Sequence, residues 1–259
     1  MQSLKILFLG NSFAEDTMQY AAEVAQSLGV SSVTLGLLYK GGCPIDFHYS
    51  HAVKDEPEYE YRTNDGSGWT CSLDYTVNRA VNSEDWDWIA IQHGTRDDRR
   101  YTSPECYEKL APLVDYLKSI TPSKTKFAFN LTWLGEPDHP HHEILSYDKN
   151  TALMRKKLEE VTKEVIANTP QIDLLIPTGT AVENARTSAI GILTRDGYHL
   201  SLDKGRFIAA LTLISTITQI PAERISWAPE GVDDYAVKVA DSAVKYAQQN
   251  PLAITKIDF

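Results

Sequence analysis

Lys5-Ile6-Leu7-Phe8-Leu9-Gly10-Asn11-Ser12-Phe13 is the stretch that decides how the rest of the chain is read. From Ile6 to Gly10 every residue is apolar or small, so the two-residue alternation of a half-exposed strand is absent. Such a run suits a strand buried on both faces, as in a parallel sheet. Gly10 and Asn11 end it with residues that tolerate tight turns, and a helix is expected over Glu15 to Leu28. Ser12 therefore falls at the carboxyl end of a central strand, where open α/β sheets bind ligands. The amino end of the helix behind it offers free N–H groups. Two uses of the hydroxyl stay open: a nucleophile, or a plain helix cap, since Ser12-Phe13-Ala14-Glu15 fits the capping box.

Working outward, Ser32 to Tyr39 reads as a second strand ending at Lys40-Gly41-Gly42-Cys43-Pro44. The two glycines make a turn or bring backbone N–H groups to a ligand. Asp87 to Gln92, Lys126 to Leu131 and Asp173 to Pro177 are expected as the third to fifth strands. Helices are expected over 73–81 (begun at Ser72), 103–119, 151–168, 180–187, 206–220 and 233–249. This alternation of strand and helix, without repeats or a linker, reads as one α/β domain over 1–259. The segment at about 45–73 is polar and aromatic and reads as an insertion over the carboxyl edge of the sheet. Within it, Glu58 to Thr63 alternates and is expected to form a hairpin with Gly68 to Cys71.

Composition narrows the function. The chain has 259 residues, is 42% hydrophobic and carries a formal net charge of −10, which argues against a nucleic-acid partner. No apolar run reaches membrane-spanning length, so no membrane partner is expected. The first residues lack signal-peptide character, which reads as cytoplasmic, or as a periplasmic or secreted mature form whose leader was removed. Oligomeric state is not legible. Cys43, Cys71 and Cys106 have no metal-site spacing, and a Cys43–Cys71 pair remains open. His48 and His51 form a His-x-x-His without a clear third ligand, and no metal or other cofactor is expected. Pro137-Asp138-His139-Pro140-His141-His142 reads as a proline-rich lid loop in preference to a metal tag.

Asp196 and His199 stand three apart, so both side chains can lie on one side of a tight loop. The carboxylate can then orient the imidazole and leave its other nitrogen as a base for a serine. Together these elements resemble the SGNH (GDSL-like) hydrolases. Gly10-Asn11-Ser12-Phe13 is similar to their first block, with Asn where Asp is more usual. Gly41-Gly42 matches the glycine block, and Asp196-Gly197-Tyr198-His199 resembles the last block. The similarity, in a bacterial branch of that superfamily, spans most of the chain.

The resemblance implies a flavodoxin-like three-layer α/β/α sandwich with a five-stranded parallel sheet in the order 2-1-3-4-5. It also implies hydrolysis of acyl esters, with Ser12 as nucleophile, His199 as base and Asp196 orienting it. The N–H groups of Ser12 and of Gly41 or Gly42 would hold the oxyanion. The third block departs: the family has Gly-x-Asn-Asp where this chain has Gly94-Thr95-Arg96-Asp97. Gln92 is the expected substitute for the missing asparagine, because its amide donates in the same way. Arg96, His93 and Trp133 are expected to contact substrate, Trp133 by stacking on a sugar ring. The substrate is expected to be a small or carbohydrate ester, most readily an acetyl ester. The rival readings are a lipase or thioesterase of the same superfamily, a non-catalytic flavodoxin-like binding domain, and Cys43 as nucleophile with His48 or His51.

Overall fold

The apolar run at the start of the chain forms β1 (Leu4–Gly10), and its two faces enter two separate cores. Leu4, Ile6 and Phe8 enter one cluster while Leu7 and Leu9 enter the other. That is the geometry of a strand covered on both sides. The computed structural model describes residues 3–94, 102–140 and 145–259. Its strands continue with β2 (Val33–Tyr39), β3 (Tyr59–Asn64), β4 (Trp69–Tyr75), β5 (Trp88–Ile91), β6 (Lys126–Asn130) and β7 (Leu174–Ile176). They make one sheet in the order β4-β3-β2-β1-β5-β6-β7.

The parallel part, β2-β1-β5-β6-β7, has the order 2-1-3-4-5 in its own strands. The sheet nevertheless has seven strands, not five. The 59–75 hairpin pairs antiparallel with the outer edge of β2 and so extends the sheet in its own plane, where it was expected to sit over the carboxyl edge. The exposed edge of β2 supplies the unpaired backbone groups that the hairpin satisfies.

Helices cover both faces. On the first lie α1 (Ser12–Met18), α2 (Ala21–Ser27), α7 (Thr178–Arg186), α8 (Lys204–Thr218) and α9 (Asp234–Gln249). On the second lie α3 (Ile45–Lys54), α4 (Val77–Val81), α5 (Leu110–Ile120) and α6 (Thr151–Val161). From Phe207 to Thr218 every residue of α8 is buried, as expected of a helix enclosed on all sides. Among the described residues no helix is long and apolar enough to cross a membrane.

Three local expectations change. The helix over Glu15 to Leu28 is two helices, α1 and α2, parted at Gln19-Tyr20, where the Tyr20 hydroxyl donates to Leu202 O at 2.7 Å. Residues 73–75 continue β4; the next helix starts at Val77, capped by Thr76, whose hydroxyl accepts from Arg79 N–H at 3.1 Å, so Ser72 is not its start. Residues 45–54, expected as irregular insertion, form α3 and bury Ile45, His48 and Ala52. Gly10 is needed for close approach: a Cβ there would lie 2.3 Å from that of Ala14, so only glycine lets α1 settle onto β1.

His48 is fully buried, with Nδ1 2.8 Å from the Tyr59 hydroxyl. Burial, reinforced by His51 and His93, lowers its pKa to about 3. An unfolded histidine titrates near 6.5, so between these values the unfolded chain holds a proton that the folded chain refuses. Stability is therefore expected to fall as pH drops through that window, by up to about 1.4 kcal/mol per pH unit. Thermal melts from pH 7 to 3 on wild type and His48→Phe check this. The variant is expected to lose that part of the slope, and an unchanged slope would assign the acid sensitivity to other groups.

Candidate active site

Ser12 is not the helix cap. Asn11 takes that role, its Oδ1 accepting from Phe13 N–H at 3.0 Å, so Ser12 is the first residue of α1 with its hydroxyl free for another partner. That partner is His199, whose Nε2 lies 2.9 Å from Ser12 Oγ across 187 residues of chain. His199 Nδ1 lies 2.6 Å from Asp196 Oδ2. An ionised carboxylate only accepts, so Nδ1 carries the proton and Nε2 is left to accept from the Ser12 hydroxyl. The second carboxylate oxygen accepts the backbone N–H groups of Tyr198 at 2.9 Å and His199 at 2.7 Å. Burial raises the Asp196 pKa, but the bonds from the His199 ring and from these N–H groups outweigh it and hold the carboxyl at about 2. Ser12 and His199 are both partly exposed, so solutes can reach them.

The histidine segment is fastened to the serine's own helix. Asp16, one turn after Ser12 and without exposed surface, accepts from Arg195 Nη1 at 2.9 and 3.1 Å and from Arg206 Nε at 2.8 Å. It also accepts from Leu200 N–H at 2.9 Å. Arg195 Nη1 donates in turn to Leu200 O. Phe13 adds an aromatic contact on the same side, with its ring centroid 4.7 Å from that of Tyr198 and 5.8 Å from that of His199.

A second layer supports the loop from outside. Glu136 N–H donates to Gly197 O at 2.7 Å, and His139 stacks on Tyr198 at 5.3 Å. Trp133 is fully buried, with Nε1 donating to Tyr198 O at 2.8 Å. It therefore braces the histidine loop and does not offer a face to a sugar, because the strand end that carries it runs under that loop. Of the expected lid, His139 packs on the histidine loop while Pro137, Asp138 and Pro140 are exposed; His141 and His142 lie outside the described residues.

On the other side of Ser12 three strand ends converge. Lys40 N–H donates to Gly10 O at 3.1 Å, and Cys43 N–H closes a turn onto Lys40 O at 3.1 Å. Gly42 holds φ +62°, which favours glycine at that turn position. Gly94 brings β5 in: a Cβ there would lie 2.4 Å from both Asn11 Nδ2 and Cys43 O. Among the described residues the N–H groups of Ser12, Gly41 and Gly42 have no protein acceptor. Gln92 is fully buried and neither atom of its amide has a partner among the described residues. Period 2 along β5 puts it on the α1 face beside Asn130, which is below the site and not at its surface.

The remaining expectations fall as follows. His93 is buried, with Nδ1 accepting from Ile45 N–H at 3.5 Å and its ring against Tyr107, so it packs α3 and is not open to substrate. Arg96 lies outside the described residues. Cys43 and His48 are both fully buried, which removes the thiol from the reach of a substrate, and His51 pairs with Glu56 at 2.6 Å. Cys43, Cys71 and Cys106 are all unbridged. Among the described residues no three His, Cys, Asp or Glu groups converge as for a metal ion. Reading by motif missed Asp16, Arg195 and Arg206, whose charge is the only signal they carry in the sequence.

Asp16→Ala is expected to cost about 3–5 kcal/mol, since it leaves two guanidinium groups facing an empty partner site. Denaturant unfolding measures this. Hydrogen exchange at the Leu200 amide, which bonds Asp16 in the wild type, is expected to quicken more than the global loss explains. A variant that melts with the wild type would show the carboxylate to be dispensable.

Residues 5–247 match the family described as DUF4886, a domain of unknown function. A crystal structure of a DUF4886 family protein from Bacteroides uniformis is similar at 30% identity and a TM-score of 0.92, over 99% of this chain and 98% of that one. A family 3 carbohydrate esterase from Clostridium thermocellum is similar at 12% identity and a TM-score of 0.51, over 85% of this chain and 97% of that one. A G-D-S-L family lipolytic protein from Veillonella parvula is similar at 14% identity and a TM-score of 0.52, over 83% and 99%. The last two share the fold. No similar sequence is found among curated proteins. With the match covering nearly the whole chain, the protein belongs to the DUF4886 family.

Proposed function

We propose that the protein is an SGNH-type serine esterase that removes small acyl groups, acetyl above all, from carbohydrate esters. The observation that carries this is the unbroken chain from Ser12 Oγ to His199 Nε2 at 2.9 Å and from His199 Nδ1 to Asp196 at 2.6 Å. Ser12 attacks the ester carbonyl as its proton passes to Nε2, forming the carbon–oxygen bond of a tetrahedral adduct. Asp196, kept ionised, stabilises the imidazolium and stays unprotonated. The adduct collapses, the alkoxide leaves with the proton from His199, and water repeats the sequence on the acyl-enzyme.

The unspent N–H groups of Ser12, Gly41 and Gly42 are the donors for the oxyanion, each worth about 3 kcal/mol of barrier. Gln92 joins them only if α1 shifts, since its amide is enclosed. The carbohydrate part of the proposal draws on the fold shared with the family 3 carbohydrate esterase.

Hydrolysis of p-nitrophenyl acetate by wild type, Ser12→Ala and Asp196→Asn tests the reading. Both variants are expected to lose about 10⁴-fold or more in kcat, Asp196→Asn through the wrong imidazole tautomer. Equal rates in wild type and Ser12→Ala would remove the Ser12 esterase reading.

A further inference from the structure

We propose that the cleft between the glycine turn and the β3–β4 hairpin holds the alcohol part of the ester, and that it is built for a neutral pyranose ring. The role rests on the esterase reading above; the cleft itself does not. Its volume is about 340 Å³, at the small end of ligand sites of about 300–1,000 Å³, which suits one ring more than a chain. Tyr39, Lys40, Gly41, Glu58, Leu73 and Asp74 line it.

Its position follows from register. Tyr39 is the Cα partner of Gly10 across β2 and β1, so this wall stands one strand spacing, about 4.8 Å, from the strand that delivers Ser12 two residues later. Gly41 lines the cleft and also offers an N–H for the oxyanion. The wall is fixed to the nucleophile's helix. Arg62 lies over the Tyr39 ring at 4.2 Å and donates to Glu15, three residues beyond Ser12, at 2.7 Å.

The lining selects by charge. Lys40 is paired with Glu58 at 2.5 Å, so its charge is already met, and Asp74 adds a further carboxylate. Such a surface accepts hydrogen bonds from hydroxyl groups and repels anions, as does a chain of net charge −10. Leu73, 67% exposed on β4, offers an apolar surface for ring C–H groups. Asp74 takes φ +52°, a left-handed conformation unusual for a non-glycine residue, at the end of the strand facing the turn. The hairpin that supplies these residues is the part of the sheet outside its parallel strands.

The experiment compares wild type, Leu73→Arg and Asp74→Asn on three esters: p-nitrophenyl acetate, a monoacetylated methyl glucoside and the matching acetylated methyl glucuronide. Wild type is expected to prefer the neutral sugar ester to the uronide by about tenfold or more. In Leu73→Arg the ratio of kcat/KM for the glucoside ester to that for p-nitrophenyl acetate is expected to fall about tenfold. In Asp74→Asn the discrimination against the uronide is expected to narrow. A ratio unchanged in Leu73→Arg, or a wild type indifferent to the uronide charge, would overturn the proposal. If no ester is hydrolysed in a Ser12-dependent way, the esterase reading fails by itself. Calorimetry with methyl glucoside then reads the cleft alone: binding weakened by Leu73→Arg supports it, and no binding overturns it.

Discussion

A single carboxylate with no exposed surface, Asp16, joins the two ends of the chain on which the site depends. It belongs to the helix that starts at Ser12, and its bonds go to Arg195, Leu200 and Arg206, which bracket His199. Removing a carboxylate from water is costly unless its oxygens are fully bonded. Here two guanidinium groups and a backbone N–H supply those bonds. The cost also means that a misplaced histidine segment leaves a buried charge uncompensated. The interaction therefore specifies position as much as it stabilises.

With that contact set, each side of Ser12 is held by a different kind of force. On the histidine side, charge and aromatic packing dominate: the Phe13 ring packs against both Trp133 and Tyr198, and the Trp133 indole bonds the Tyr198 carbonyl. On the glycine side the backbones come close, with the turn after β2 bonded to Gly10 and Gly94 pressed against Cys43 O and the Asn11 side chain. Asn11 takes the helix cap that the Ser12 hydroxyl would otherwise fill. The hydroxyl is thus committed to imidazole before any substrate arrives, which is the pre-organisation a nucleophile needs.

Some of this was open to reading from residues alone. The five parallel strands are continuous apolar runs because both faces are covered, and Gly-Asn-Ser at the end of the first and Asp-x-x-His near the end of the chain mark the two site segments. The hairpin's own pairing was visible in the alternation of Glu58 to Thr63, but its docking onto the edge of β2 was not, since an edge offers only backbone groups and leaves no pattern in side chains. The capping box at Ser12 points to the wrong residue because Asn11, one position earlier, caps the helix by accepting from Phe13 N–H, and its carbonyl takes Glu15 N–H. The bonds of Asp16 to residues 179 and 190 positions away have no period and no local signature. Trp133 and His93, expected to contact substrate, sit at strand ends, which are ambiguous between loop and core in sequence, and tertiary packing decides for the core.

The proposed chemistry stands or falls with Ser12 as a nucleophile made ready by His199. Mass spectrometry of the protein after treatment with a fluorophosphonate tests it without any assumption about substrate. One adduct is expected, on the peptide that carries Ser12, formed far more slowly in His199→Ala. A wild-type protein left unlabelled, or labelled at another residue, would contradict it.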